Sequence, residues 1–303
     1  MRYLTFDKDL LESKYFIPAC YVLFFILTFL VFLYLSFPSE SFKQRIIYEV
    51  EARTPFDLNI KSLNIYPIFS FKFQDVKLSR AKSLYLSIDD LSVSPSLFYL
   101  ILKKVSLPFK AHLYGGEAKG RLIYSSKTGQ LIKASGTISG INLKGVPAVS
   151  IALRDANSSI QGIVEGNFSI EFDPQPKGQV VLDAKDLSVK NIRLIEGLTL
   201  PDFGRLESSF RSHIENGMTK VDEWKLKGNG IDLTLFGTIP LLWKISNQGA
   251  IDLDMRLRTN RGSRGVLGFL SAFLLPESDG SLRGKIVGTF SSPRLVKGTI
   301  GVR

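Results

Sequence analysis

The stretch IQGIVEGNFSIEF, residues 160 to 172, restricts the fold of this chain more than any other. Ile160, Gly162, Val164, Gly166, Phe168, Ile170 and Phe172 fall on one side of an extended chain, and Gln161, Ile163, Glu165, Asn167, Ser169 and Glu171 on the other. A period of two belongs to a half-buried strand, since a helix would scatter these positions around its axis. The turn cluster DPQPKG follows, and Gly178, Val180, Leu182 and Ala184 carry the pattern back. A long antiparallel hairpin is predicted.

The same alternation recurs along most of the chain. Phe56, Leu58 and Ile60 show it, as do Phe69, Phe71 and Phe73 after Pro67. It returns at Ile231, Leu233, Leu235 and Ile239, and at Ile251, Leu253, Met255 and Leu257, with Asp252, Asp254, Arg256 and Arg258 opposite. Turn signals at KTGQ, ENGM and SDGS separate such runs, and Asn216-Gly217 is the dipeptide a type I′ hairpin favours. The connections are too short for parallel crossovers, so residues 54–303 are expected to form an antiparallel β-meander. Two helical interruptions are expected, over 145–156 and over 264–276; the second is apolar on nearly every face, which suits burial against the sheet.

Residues 17–37, IPACYVLFFILTFLVFLYLSF, carry no charge and would span roughly 30 Å as a helix, the thickness of a bilayer's hydrocarbon core. No A-x-A-like cleavage site follows, so an uncleaved signal anchor is expected, with residues 1–16 as a short tail. Residues 38–53, PSESFKQRIIYEVEAR, place Phe42, Ile46 and Val50 on one helical face, with Ser39 as the expected cap. This amphipathic helix either lies on headgroups or plugs one end of the sheet, and the second is the expectation. The fold class is therefore mainly β: a single N-terminal transmembrane helix followed by a curved, antiparallel meandering β-sheet with a few short helices.

Composition removes several function classes. The net charge of +11 falls beyond residue 37 and suits an anionic surface, but no dense Arg/Lys run with interleaved aromatics marks a nucleic-acid site. Cys20 is the sole cysteine, so no intrachain disulfide forms. His112 and His213 lack metal-ligand spacing, and neither a metal nor a cofactor is expected. No nucleophile elbow, zinc-protease helix or dinucleotide fingerprint is present. The acidic pairs Asp89-Asp90 and Asp252/Asp254 read as a strand end and an outward face, and no enzyme activity is expected. Asn157 and Asn167 head N-x-S sequons, which carry meaning only in a secreted eukaryotic chain.

AHLYGGEAKGRLIY, 111–124, has the glycines and lysine of a phosphate loop, but EAKGRLIY continues as a strand and supplies no helix N-terminus. It reads as a hairpin with Gly115 and Gly116 at its apex. The expected pairs are Tyr114 with Glu117, Leu113 with Ala118, His112 with Lys119 and Ala111 with Gly120.

An uncharged anchor runs into FPSESFKQRIIYEVEARTPFDLNIKSLNIYPIFSFKFQDVKLS, then come FKAHLYGGEAKGRL, LTLPDFGRLESSF and DGSLRGKIVGTFSSPRL. In this order the motifs, from about Phe37 to Leu295, resemble the type II secretion system protein N (general secretion pathway protein N) family, whose periplasmic domain is AsmA-like in style. The resemblance implies a single-pass protein of a Gram-negative inner membrane, with its β domain in the periplasm, serving as an accessory or structural component of the secretion machine. Other type II secretion subunits and inner-membrane lipids are the implied partners; nucleic acid is not. The flanking charges balance and do not set the orientation by themselves.

The AsmA-like character also implies an alternative, lipid binding or transfer in an apolar β trough. Its candidate lining is Ala111, Leu113, Ala118, Gly120, Gly162, Val164, Gly166 and Phe168. Glycine in a strand leaves room for a ligand or lets the sheet bend. Either large side chains from the opposite wall fill that room or an acyl chain does.

Overall fold

The computed structural model describes residues 16–66, 70–80, 83–96, 99, 103–147, 149, 158–190, 193–195, 198–199, 204–228, 230–241, 249–259, 274–289 and 292–297. The 20-residue helix α1, Phe16–Leu35, contains no charged side chain. Its described apolar side chains stand exposed, Phe24 at 70% and Phe25 at 71%. Among the described side chains, no helical run is long and apolar enough on its own to cross a membrane; as a backbone helix α1 is about 30 Å long at 1.5 Å per residue.

Helix α2, Ser39–Arg53, follows after a short link. The cap is Pro38 rather than the expected Ser39: the Phe42 amide donates to the Pro38 carbonyl at 3.0 Å, so the first helical bond starts one residue earlier, and no described side chain caps it. At the other end Thr54 donates both its amide and its Oγ1 to the Val50 carbonyl, at 2.9 and 2.8 Å, and the chain turns extended. Phe42, Ile46 and Ile47 pack on Ile60, Leu63, Phe73 and Val76. Thus α2 lies across the apolar side of the first strands, and an edge-on aromatic contact of Phe37 with Phe42 (5.5 Å) ties the end of the link to it.

The strands follow in near-perfect sequence order. They are β1 Asp57–Tyr66, β2 Ser70–Arg80, β3 Ser83–Val93, β4 Lys104–Leu113, β5 Gly116–Ser125, β6 Leu131–Asn142, β7 Ser159–Glu171 and β8 Lys177–Lys190. A small pair, β9 Arg193–Ile195 and β10 Leu198–Thr199, stands apart. Then come β11 Arg205–Glu215, β12 Met218–Gly228, β13 Ile231–Pro240, β14 Ala250–Thr259, β15 Leu275–Pro276, β16 Leu282–Thr289 and β17 Ser292–Lys297. One 15-stranded antiparallel sheet takes all but β9 and β10, in the order β1 to β8, β11 to β14, β16, with β15 and β17 both on β16. It is an open meander, as the short connections require.

The hairpin turns sit where the sequence punctuates them. Asn216 and Gly217 both have positive φ (52° and 74°) between β11 and β12, the geometry of a primed turn. The apex of the β4–β5 hairpin differs from expectation. Its central residues are Tyr114 (φ 51°) and Gly115 (φ 77°), and the pairs are Leu113 with Gly116, His112 with Glu117, Ala111 with Ala118 and Phe109 with Gly120. Two contacts fix this register. The Ser87 amide donates to the Tyr114 hydroxyl at 2.7 Å, holding Tyr114 in the turn. Gly116 lies so close to β6 that a Cβ there would stand 2.4 Å from the Gly140 carbonyl carbon.

Asp89-Asp90 is not at a strand end but inside β3, with Asp90 opposite Gln74. The expected helix over 145–156 lies mostly outside the described residues, where only a 3-10 turn, Leu143–Gly145, precedes it. Most of the expected helix over 264–276 lies outside them too, and its last two residues form β15.

Candidate functional site

In an antiparallel sheet directly paired residues project to the same side, so the registers trace each face across the strands. One row reads Phe73, Leu91, Ala111, Ala118, Ile138, Gly166, Leu182, Phe210, Trp224, Leu235, Met255, Gly284, crossing from β2 to β16 without a charged residue. A neighbouring row reads Phe71, Val93, Phe109, Gly120, Gly136, Phe168, Val180, Ser212, Val221, Gly237, Leu253, Ile286, Leu295. These rows form a continuous apolar face.

Seven of the eight candidate lining residues belong to it. Ala111 and Ala118 face each other, Ala118 joins Gly166 through Ile138, and Gly120 joins Phe168 through Gly136. Val164 pairs Ile141, and Leu113 ends the row at Gly116. Gly162 is set apart, at a bulge against Leu187. The glycines do not leave empty slots. A Cβ on Gly120 would meet the Phe109 ring at 2.8 Å, one on Gly136 the Phe168 ring at 3.1 Å, and one on Gly166 the Leu182 side chain at 2.8 Å. Neighbouring aromatic and leucine side chains lie flat over the glycines, which lowers the floor of the face.

The alternation read in β7 and β8 extends to β6, β11, β12 and β16, and the lining therefore includes Leu182 of the alternating run and residues not singled out from sequence: Ile138, Phe210, Trp224 and Ile286. The face is packed within itself, with Phe210 edge-on to Trp224 at 5.8 Å, and with Val221, Ile239, Ile251 and Leu253 in one buried cluster. Helix α2 covers its first two strands. From β3 onward Phe168, Leu182, Phe210 and Trp224 are partly buried, whereas Ala111, Val180, Val221, Leu235, Leu253 and Met255 on the same rows are buried, and Leu241 and Leu274 pack onto the face from outside those rows. Ten strand-to-strand steps at about 4.8 Å carry the face from β3 to β16 over roughly 50 Å.

The opposite face is polar and laced with cross-strand ion pairs. Lys72 meets Asp90 at 3.1 Å, Lys133 and Lys177 flank Glu171 at 3.1 and 3.2 Å, and Lys285 meets Asp252 at 2.8 Å. Glu117 is held by Lys110 at 2.7 Å and by Lys119, which bring its carboxyl down to about 2. Lys133 and Lys177 likewise lower Glu171. His112 stands 3.3 Å from Glu117, and His213 contacts Asp222 at 2.7 Å. Among the described residues no three ligating side chains gather around a metal position. Asp90, Asp252 and Asp254 are thus partners in this outer lattice.

The chain matches no family model, no curated protein and no solved structure.

Proposed function

We propose that this chain is a membrane-anchored β protein whose continuous apolar face holds lipid acyl chains. The observation that carries the reading is the unbroken apolar face from β3 to β16, two rows of paired residues without a charge among them. An acyl chain laid against this face gains about 0.8 kcal/mol for each methylene it buries. A strongly twisted sheet curls into a trough, which gives such chains walls as well as a floor.

Helix α1 serves as the transmembrane anchor, being uncharged and about as long as the hydrocarbon core is thick, ~30 Å. The β domain then stands on the periplasmic side of a Gram-negative inner membrane. The test is native mass spectrometry of the full chain purified in mild detergent, combined with lipid exchange between vesicles. Retained lipid that dissociates at raised collision energy is expected. A chain free of lipid and inactive in exchange would remove the proposal.

The ordered motifs, which resemble those of the type II secretion protein N family, suggest a setting for this activity, as an accessory subunit of that machine. Crosslinking in native membranes is expected to recover other secretion subunits. Recovery of none, with secretion intact in a deletion strain, would remove the setting while leaving the lipid reading standing.

A further inference from the structure

A cavity of about 520 Å³ opens on the polar side of the sheet where β6, β7, β8 and β11 meet the rim. Its size falls in the range of about 300–1,000 Å³ usual for small-molecule sites. Its cause is local: β8 carries an extra residue, Asp186, in left-handed conformation (φ 52°), and its register shifts there against both β7 and β11. Such a bulge bends the strand and draws the sheet inward.

Around the cavity stand Lys144, Lys190 and Arg205, with Asp186 as the one carboxylate among the described residues there, and the carboxamides of Asn142 and Gln161. Asp186 lies 3.6 Å from Arg205 with both side chains well exposed, which leaves the Arg205 guanidinium open to a further anion, and Lys144 is exposed on the same lining. Asn142 accepts from the Lys144 amide at 3.0 Å, so its NH2 group is the part left to donate. Cations and amide donors converging on one concavity suit a phosphate.

The other side of the same backbone belongs to the apolar face. Leu187 and Leu206 pair directly and are 7% and 4% exposed, and Ile160 pairs Val189 one residue from the strand ends. An amphiphile whose phosphate rests in the cavity therefore reaches the apolar face across a rim one strand-end thick. We propose that this cavity binds the phosphate-bearing headgroup of a lipid whose acyl chains lie on the apolar face. The proposal rests on the acyl-chain reading above and names the headgroup class: anionic, phosphate-bearing.

The experiment uses the full chain in detergent and native mass spectrometry with dioctanoyl phosphatidate, dioctanoylglycerol and glycerol phosphate as probes. The wild type is expected to bind the phosphatidate about tenfold more tightly than the glyceride. The double variant Lys144→Gln/Arg205→Gln should lose that preference and keep its affinity for the glyceride, while Arg205→Lys should retain most of the preference. An unchanged melting temperature certifies the variants' fold, their sites being solvent-facing. Equal binding of both lipids by the wild type, or a preference that survives the double substitution, overturns the proposal. Binding of neither lipid overturns the acyl-chain reading instead. Glycerol phosphate bound alone, and lost in the double variant, would assign the cavity to a soluble phosphate and overturn the lipid source.

Discussion

Gly115 and Gly116 distinguish the observed hairpin from the one their pairing suggests, and alanine at each position measures the difference. Were both glycines central in a primed turn, both would need positive φ and both alanines would cost about the same, ~1 kcal/mol. In the structure only Gly115 has φ of 77°, and a methyl carbon added there would meet no described atom within 4 Å, so Gly115→Ala should cost only that conformational term. Gly116 lies in β5, where a Cβ would stand 2.4 Å from the Gly140 carbon, 2.5 Å from the Ile141 nitrogen and 2.6 Å from the Gly140 oxygen. All three are backbone atoms that cannot rotate aside, so β6 must retreat by most of an ångström. Overpacking of this kind costs about 1–3 kcal/mol, and the upper end applies here. At roughly 2–4 °C per kcal/mol for a domain of this size, Gly116→Ala should lower Tm by about 6–12 °C and Gly115→Ala by about 2–4 °C. Circular dichroism melts in detergent read the totals, and hydrogen exchange at Glu117 and Ile141 reads the site. Equal losses, or a larger loss for Gly115→Ala, would refute the register argument.

Four further outcomes are expected. Ile138→Asp, in the middle of the apolar face, should abolish acyl-chain uptake, whereas Thr137→Asp on the opposite face should leave it intact; retention by native mass spectrometry compares them. Thr219 is 1% exposed and its Oγ1 has no hydrogen-bond partner among the described residues, so Thr219→Val should raise stability by about 1 kcal/mol, read as a higher Tm. Glu117 has a folded pKa of about 2, below its ordinary 4.5. Its ion pairs with Lys110 and Lys119 therefore stabilise the hairpin above that ordinary value and are lost as pH falls through 4.5 towards 2; a carboxyl NMR titration with its midpoint above 4 would contradict this. Ser208→Ala removes the acceptor of the Trp224 indole N–H (3.0 Å) and should cost about 1 kcal/mol while shifting the tryptophan emission, measured by fluorescence.

The faces of the sheet were legible because strict alternation fixes them, and moving a turn by one residue leaves them unchanged. Leu113 keeps its side of the sheet whether it faces Ala118 or Gly116, so polarity alone could not choose the register. The choice came from the Tyr114 hydroxyl on Ser87 and the closeness of Gly116 to Gly140, both set by strands distant in sequence. The candidate lining was legible for the same reason the faces were. That Phe109 and Phe168 would lie over Gly120 and Gly136 was not, since those pairs depend on register. The rim cavity left one local trace, the skipped beat of β8 at Asp186; its residues outside β8 come from β6, β7, the start of β11 and the turn that carries Lys144, which are distant in sequence. His213 gave no hint of a carboxylate partner because Asp222 comes within reach only through the β12 hairpin.

One signal was present in the sequence and passes unnoticed under strict alternation: an apolar residue followed by two polar or small ones and then another apolar one. It occurs as Ala184-Lys185-Asp186-Leu187 in β8, Val221-Asp222-Glu223-Trp224 in β12 and Ile138-Ser139-Gly140-Ile141 in β6, and each coincides with a register shift. The skipped beat keeps both flanking apolar residues on one face while the extra residue bends the strand. Two deletions of the same residue type within β8 separate this from a simple strand. Deleting Asp186 leaves Ala184, Leu187 and Val189 on the apolar face and straightens the strand, so a cooperative melt should persist while the rim cavity loses its phosphate preference. Deleting Asp183 instead flips every later residue, exposing Leu187 and turning Lys185 inward. The exposure of Leu187 alone costs about 1.5–3 kcal/mol, and the buried lysine adds to it. The Asp183 deletion must therefore melt well below the Asp186 deletion; the reverse order would mean that Asp186 is a structural member of the strand and not the bulge that shapes its rim.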